Sequence, residues 1–207
     1  MENSPVFIIL AGGKSERMGM AKGLLKFNKT FWILEQLRRT ALTSIQSVYI
    51  GLGYQHQHYF EAIEWFAEAS KKPYKYLGLE VTIVINETPK SGPFSTLQAV
   101  LNSVTDNKDV LVNPIDSPIL NATDFEKIIN EKCLIALPNY KGKNGHPVKL
   151  AYAFWQKLKS LDPLDSDSRL DFQIKKTAAT EISNLSVSSA DILLNINTPA
   201  DWDCLKK

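Results

Sequence analysis

Residues 8–27 read Ile-Ile-Leu-Ala-Gly-Gly-Lys-Ser-Glu-Arg-Met-Gly-Met-Ala-Lys-Gly-Leu-Leu-Lys-Phe, an apolar run that gives way to a glycine- and cation-rich loop. Val6 to Leu10 are apolar without alternation, the pattern of a parallel strand buried on both faces. The chain then turns small and polar. Gly12, Gly13 and Gly19 open backbone angles closed to other residues and let main-chain N–H groups approach an anion. Lys14, Arg17, Lys22 and Lys26 place four positive charges within thirteen residues. A strand running into such a loop suits a polyphosphate ligand.

Outward from this loop, apolar runs recur at Ser47–Leu52, Val81–Ile85, Val110–Val112 and Leu134–Leu137. Amphipathic stretches lie between them. Trp32–Leu42 carries Ile33, Leu34, Leu37 and Ala41 at helical spacing, and Phe94–Val104 carries Leu97, Val100, Leu101 and Val104 likewise. The alternation predicts an α/β fold with a mostly parallel sheet between helical layers. The aromatics Tyr59, Phe60, Trp65 and Phe66 read as a packing face, and Ala67–Tyr76 as a solvated helix end and loop. Pro138–Gly145 reads as a hairpin tip, His146–Ala151 as its returning strand, and Leu193–Asn197 as a late strand.

Length and composition narrow the classes. The chain has 207 residues and 44% hydrophobic content, enough for one sizeable core, so residues 1–207 are expected to form a single domain. Lys and Arg total 24 against 22 Asp and Glu, which leaves no overall basic field for nucleic acid. Cys133 and Cys204 lie far apart and near no His cluster, which argues against a zinc site or a disulfide framework and fits a reducing cytoplasm. Cys133, read as part of an apolar strand, is expected to be inert. The first strand begins too close to Met1 for a signal peptide, and no apolar run reaches the ~20 residues of a membrane span. A soluble cytoplasmic protein is expected.

In open α/β sheets ligands bind beyond the carboxyl ends of the strands, so those ends hold the candidate residues. At the first, Leu10, Ala11, Gly12 and Gly13 are assigned to cradling a nucleotide, with Arg17 and Lys22 on its phosphates. At the second, Val112-Asn113-Pro114-Ile115-Asp116-Ser117-Pro118 leaves one carboxylate, Asp116, on a turn stiffened by two prolines. A hard oxygen there suits Mg²⁺, which binds through one or two carboxylates plus substrate phosphates. Asn121 and Thr123 are better placed than Asp116 to start the following helix. The third end carries Asn86 and Glu87, then Gly92-Pro93 opening a helix. The fourth region carries His146 in Gly-His-Pro-Val, the stretch Asp167-Ser168-Arg169-Leu170, and Asn195 and Asn197 in Asn-Ile-Asn-Thr-Pro.

The glycine spacing fits neither a Walker loop nor a dinucleotide fingerprint. Leu-Ala-Gly-Gly-x-Ser-x-Arg-Met-Gly-x-x-Lys instead resembles the signature of nucleotidyltransferases that move NMP from an NTP to a phosphorylated acceptor. Within them it is most similar to the MobA-like enzymes, the molybdenum cofactor guanylyltransferases and cytidylyltransferases, and the resemblance runs from Phe7 to Leu205. It implies a Rossmann-like three-layer α/β/α sandwich of the nucleotide-diphospho-sugar transferase kind. It further implies Mg²⁺ on Asp116 with Asn197, Asn86, Glu87 and Gly92 near the base, and His146, Asn195 and Asn197 toward the acceptor. Arg17, Lys22 and Asp116 are the implied catalytic residues.

The features that separate the donors are mixed. Gly-Pro-Phe and Asn-x-Asn-Thr-Pro are shared with guanylyl members, whereas Ser-Thr-Leu and Gly-His-Pro-Val match cytidylyl ones, and Glu87 falls where guanylyl members carry an aspartate. GTP and CTP both remain open as donors. Molybdopterin is the implied acceptor, with transient contacts to molybdoenzymes or cofactor-assembly proteins. A sugar or polyol phosphate acceptor, or nucleotide binding without catalysis, would share the glycine loop and Asp116. No Gly-x-Ser-x-Gly elbow offers a competing nucleophile.

Overall fold

The computed structural model describes residues 4–205. In chain order the strands are β1 (Val6–Ala11), β2 (Lys26–Phe27), β3 (Thr30–Phe31), β4 (Ser47–Leu52), β5 (Tyr74–Tyr76), β6 (Leu79–Ile85), β7 (Val110–Pro114), β8 (Ile135–Tyr140), β9 (Lys143–Asn144), β10 (Val148–Leu150) and β11 (Ile182–Ser186). The helices are α1 (Trp32–Thr40), α2 (His56–Ala62), α3 (Phe66–Ala69), α4 (Pro93–Ser103), α5 (Ala122–Asn130), α6 (Tyr152–Leu158), α7 (Leu170–Lys175) and α8 (Pro199–Leu205).

One sheet has the order β11-β8-β10-β7-β1-β4-β6-β5, with β9 paired to β8 and the β2-β3 ribbon apart. Pairings β6-β4, β4-β1, β1-β7 and β8-β11 are parallel; β10 runs against both β7 and β8, and β5 against β6. The chain leaves β1 toward β4 on one side and later returns to β7 on the other. The carboxyl ends of β1 and β7 therefore flank the switch point where such sheets bind ligands.

β1 shows why its run of apolar residues lacks alternation. Phe7, Ile9 and Ala11 enter one core with α1 and α5, while Val6 and Ile8 enter the opposite core with α4 and α6. Each side of the pleat needs an apolar residue, so every position is apolar. The two cores and the sheet between them make the three layers. The aromatic stretch packs as the sequence indicated: Tyr59 and Phe66 are buried and stacked, and Trp65 stacks on Tyr74 and Tyr76.

Several expectations need correction. Ala67–Ala69 ends the short helix Phe66–Ala69 and Ser70–Pro73 is loop, as expected, but Tyr74–Tyr76 is a sheet-edge strand. Its tyrosines alternate with Lys75, which lets one face cover Trp65 while the lysine meets water. Leu193–Asn197 is not a strand. A 3₁₀ turn covers Ala190–Leu193, and the following segment is pinned by Ile196 N–H donating to the Asp116 carbonyl at 2.9 Å. The late strand is Ile182–Ser186, whose polar, half-exposed sequence suits a sheet edge. Pro138, Asn139 and Tyr140 continue β8, so the hairpin turns at Lys141-Gly142, both with positive φ. Cys133 precedes β8 rather than lying in it. Its hydrogen bond with Glu131 pushes the thiol pKa up, which keeps it protonated.

Candidate active site

The loop after β1 is shaped by two glycines with different constraints. Gly19 ends a 3₁₀ turn at φ 76°, in the left-handed region. Gly12 has no such angle but presses on α4, since a Cβ there would stand 2.5 Å from Thr96 Oγ1. Gly13 has neither constraint; a Cβ would meet open space. β1 thus ends against the start of α4, which Gly92 at φ 91° and Pro93 at the first helical position turn toward the loop.

The Asp116 turn is held from below. Ile115 N–H donates to the Leu10 carbonyl at 2.9 Å, joining the ends of β1 and β7. The Trp32 indole donates to the Ile115 carbonyl at 2.7 Å, and Gln36 accepts from Ile119 N–H at 3.0 Å, so α1 fixes the turn at two points. The buried Trp32 also meets Phe27 and Trp202, which anchors α8 nearby. Helix α8 opens with a reciprocal cap: Asp201 Oδ2 accepts from Thr198 N–H and hydroxyl, and Asp201 N–H donates to Thr198 Oγ1. The same oxygen accepts from Asn197 N–H at 3.0 Å, and these bonds, the Asn197 one foremost, hold the Asp201 pKa below the usual carboxylate range.

Four side chains meet where these supports converge. Lys22 Nζ lies 2.8 Å from Asp116 Oδ2 and 2.9 Å from Asn197 Oδ1, and Arg17 Nη2 donates to that same Oδ1 at 3.1 Å. They share a cleft of about 710 Å³ with Leu10, Ala11, Gly12, Gly13 and Gly92. A second cavity of about 650 Å³ lies beyond a wall of Leu10, Pro93 and Pro114 common to both, and is lined by His146, Asn195 and Arg169. Burial pushes the His146 pKa down against the opposing pull of Asp116, so the imidazole is neutral at pH 7.

Two expected base-site residues go elsewhere. Asn86 lines neither cavity: its Nδ2 donates to the Ser95 and Thr96 hydroxyls, and its Oδ1 accepts from Thr88. That buried amide ties β6 to α4. Glu87 is exposed and also lines neither cavity. Lys26 leaves the loop's cation set, with its ammonium 3.7 Å from the Phe31 ring centre. The cleft instead gains Tyr54, Tyr59, Lys90 and Thr96. Tyr54 follows Leu52-Gly53 at the end of β4, one more strand end that the same rule singles out. Tyr59 serves both core and cleft; its hydroxyl, kept neutral by burial, accepts from Gly23 N–H.

The donor set can be weighed for a cation. Asp116 and Asn197 offer one carboxylate and one amide oxygen, and among the described residues no cluster of three or more His, Cys, Asp or Glu forms a metal cage. Two hard oxygens suit an ion that completes its shell with phosphate and water, as Mg²⁺ does. No helix among the described residues is long and apolar enough to cross a membrane.

Known proteins resemble the chain in sequence and in fold. A "Probable molybdenum cofactor guanylyltransferase" of Carboxydothermus hydrogenoformans is 30% identical over 220 residues, covering 100% of this chain and 97% of that protein. The solved Rv0371c homologue from Mycobacterium sp. strain JC1 superposes with TM-score 0.76 at 19% identity, covering 100% and 96% of the two chains. Rv0371c of Mycobacterium tuberculosis, solved as a complex with manganese, gives 0.71 at 18%, covering 98% and 97%. The model of the MobA-like NTP transferase domain matches residues 7–179, and the chain belongs to that family.

Proposed function

We propose that the protein transfers NMP from GTP or CTP to the phosphate of molybdopterin and releases pyrophosphate, working in the cytoplasm. The observation that carries this reading is the meeting of Arg17, Lys22, Asp116 and Asn197 at the carboxyl ends of β1 and β7. An acceptor phosphate oxygen bonds to the α-phosphorus while the bond from that phosphorus to the bridging β-phosphate oxygen breaks. The acceptor is already an anion, so the reaction needs no strong general base and no covalent enzyme intermediate. Catalysis reduces to positioning and charge.

The residues divide that work. The main chain of Leu10 to Gly13 cradles the donor, and Pro89 to Gly92 border the base. Arg17 and Lys22 neutralise charge that builds on the phosphates. Asp116 and Asn197 would hold Mg²⁺, and the structural neighbour Rv0371c was solved with a divalent ion, manganese. The ion supplies further neutralisation of the triphosphate. The neutral His146 and Asn195 would meet the acceptor in the second cavity, which shares Leu10, Pro93 and Pro114 with the donor cleft.

Pyrophosphate release by purified protein, with molybdopterin and each NTP in turn, tests the reading. Release with GTP or CTP and molybdopterin is expected, and Lys22→Ala should lose about 3 kcal/mol of transition-state stabilisation, as for one preorganised electrostatic contact. Turnover only with a sugar phosphate would replace the acceptor. No release with any acceptor would end the enzyme reading.

A further inference from the structure

The two oxygens best suited to a divalent cation are already engaged by cations of the chain itself. Lys22 bridges Asp116 Oδ2 and Asn197 Oδ1 at 2.8 and 2.9 Å, and Arg17 adds a contact to the latter. The pair is largely withdrawn from water, with the Lys22 and Asp116 side chains 12% and 23% exposed, so its attraction is weakly screened. The partners of Lys22 are fixed with respect to each other. Ile196 N–H ties the Asn197 segment to the Asp116 carbonyl, and α1 holds the Asp116 turn from beneath. Lys22 alone rides a long flexible stem, from a single 3₁₀ turn at Lys22–Leu24.

An ammonium and a divalent ion held by the same carboxylate and amide repel each other. Placing the ion beside Lys22 would crowd three positive charges around one carboxylate. A triphosphate reverses that balance by offering Lys22 and Arg17 anionic oxygens within the same cleft. Resting on the nucleotidyltransferase reading, we infer that Lys22 masks the cation site as a resident counter-ion, so that a divalent cation binds together with a nucleotide polyphosphate and not before it. Coupling of this kind is reciprocal: the nucleotide raises cation affinity by the factor by which the cation raises nucleotide affinity.

Mn²⁺ titrated into the full-length protein, with free ion read by its paramagnetic resonance signal, tests this without turnover. The parent should take up Mn²⁺ at least about tenfold more weakly alone than with saturating GTP or CTP, once the ion held by the same nucleotide without protein is subtracted. Lys22→Met should bind Mn²⁺ without nucleotide at least about tenfold more tightly than the parent. Lys22→Arg, which keeps the positive charge, should behave as the parent does. Asp116→Asn added to Lys22→Met should abolish the gain. Thermal unfolding establishes that each variant is folded, and Lys22→Gln replaces Lys22→Met if the latter is not. Equal Mn²⁺ affinity of the parent and the neutral Lys22 variant without nucleotide would overturn the masking. Failure of every nucleotide to bind, with or without metal, would overturn the nucleotidyltransferase reading; the Mn²⁺ comparison without nucleotide would still decide whether Lys22 masks the site.

Discussion

Asp201 lies outside both cavities, yet one of its oxygens holds the backbone of Asn197 and Thr198. Asn197 Oδ1 in turn receives Lys22 and Arg17, so Asp201 acts as a positioning residue at one remove. Asp201→Ala is expected to lower kcat/KM several-fold to about 100-fold, the scale of loss when a supporting group shifts by ~1 Å. Asp201→Asn, which retains an accepting oxygen, should recover most of it; equal losses in both variants would contradict the positioning role. The glycine loop makes a second contrast. Gly12→Val drives its side chain into Thr96, which is hydrogen-bonded to Asn86, and should both lower the melting temperature and abolish NTP binding. Gly13→Ala meets open space and should leave the melting temperature unchanged. Calorimetric unfolding with and without nucleotide distinguishes the two. Spacing alone marks Gly12, Gly13 and Gly19 together; the structure separates a close approach to α4 at Gly12, an open position at Gly13 and a left-handed turn at Gly19.

Among the elements, those buried on both faces were the most legible. Ser47–Leu52 is a strand with the bounds its apolar run suggests, and α4 begins one residue before the periodic stretch because Pro93 suits a first helical turn. Edges were harder, because a strand with one wet face needs few apolar residues. For that reason Ile182–Ser186 carries too few apolar residues to signal a strand, and Leu193–Asn197 reads as one although Ile196 is apolar for burial beside the Asp116 turn rather than for a ladder. Asn86 shows the same limit: a polar residue at a strand end reads as ligand-facing, whereas its buried amide bonds Ser95, Thr96 and Thr88. One element junction predicts a pH response. Asp124, in the first turn of α5, is buried, which opposes ionisation; hydrogen bonds from Lys127, Ser188 and Asn121 outweigh this and hold its pKa well below the usual carboxylate range. The unfolded chain then binds the proton more readily than the folded one, so stability is full above the ordinary carboxylate pKa of ~3.9 and falls as pH drops below it. Asp124→Asn should reduce the slope of melting temperature against pH below about pH 4. An unaltered slope would mean that other carboxylates dominate acid unfolding.

At the scale of the whole molecule, the two cores meet on a common sheet and neither contains a complete set of strand faces. Phe7 and Ile9 serve one side of β1 and Val6 and Ile8 the other, so losing either core strips one face of the central strand. We propose on this ground that the chain is one folding unit, as its length suggested. Heat should unfold it in a single transition, with calorimetric and van't Hoff enthalpies equal. The cleft lies at the ends of β1 and β7, the centre of that sheet, so a ligand that binds there only in the folded state stabilises the sheet as a whole. A nucleotide at 100 times its Kd then contributes about 2.7 kcal/mol to the whole transition. For a chain of this size that is a rise of roughly 5 to 10 °C in melting temperature. The rise should be greatest for the true donor with its cation, so a comparison of the four NTPs with Mg²⁺ ranks GTP and CTP directly. Two separated transitions, with only one moved by nucleotide, would instead assign the cleft to half of the chain and refute the single unit.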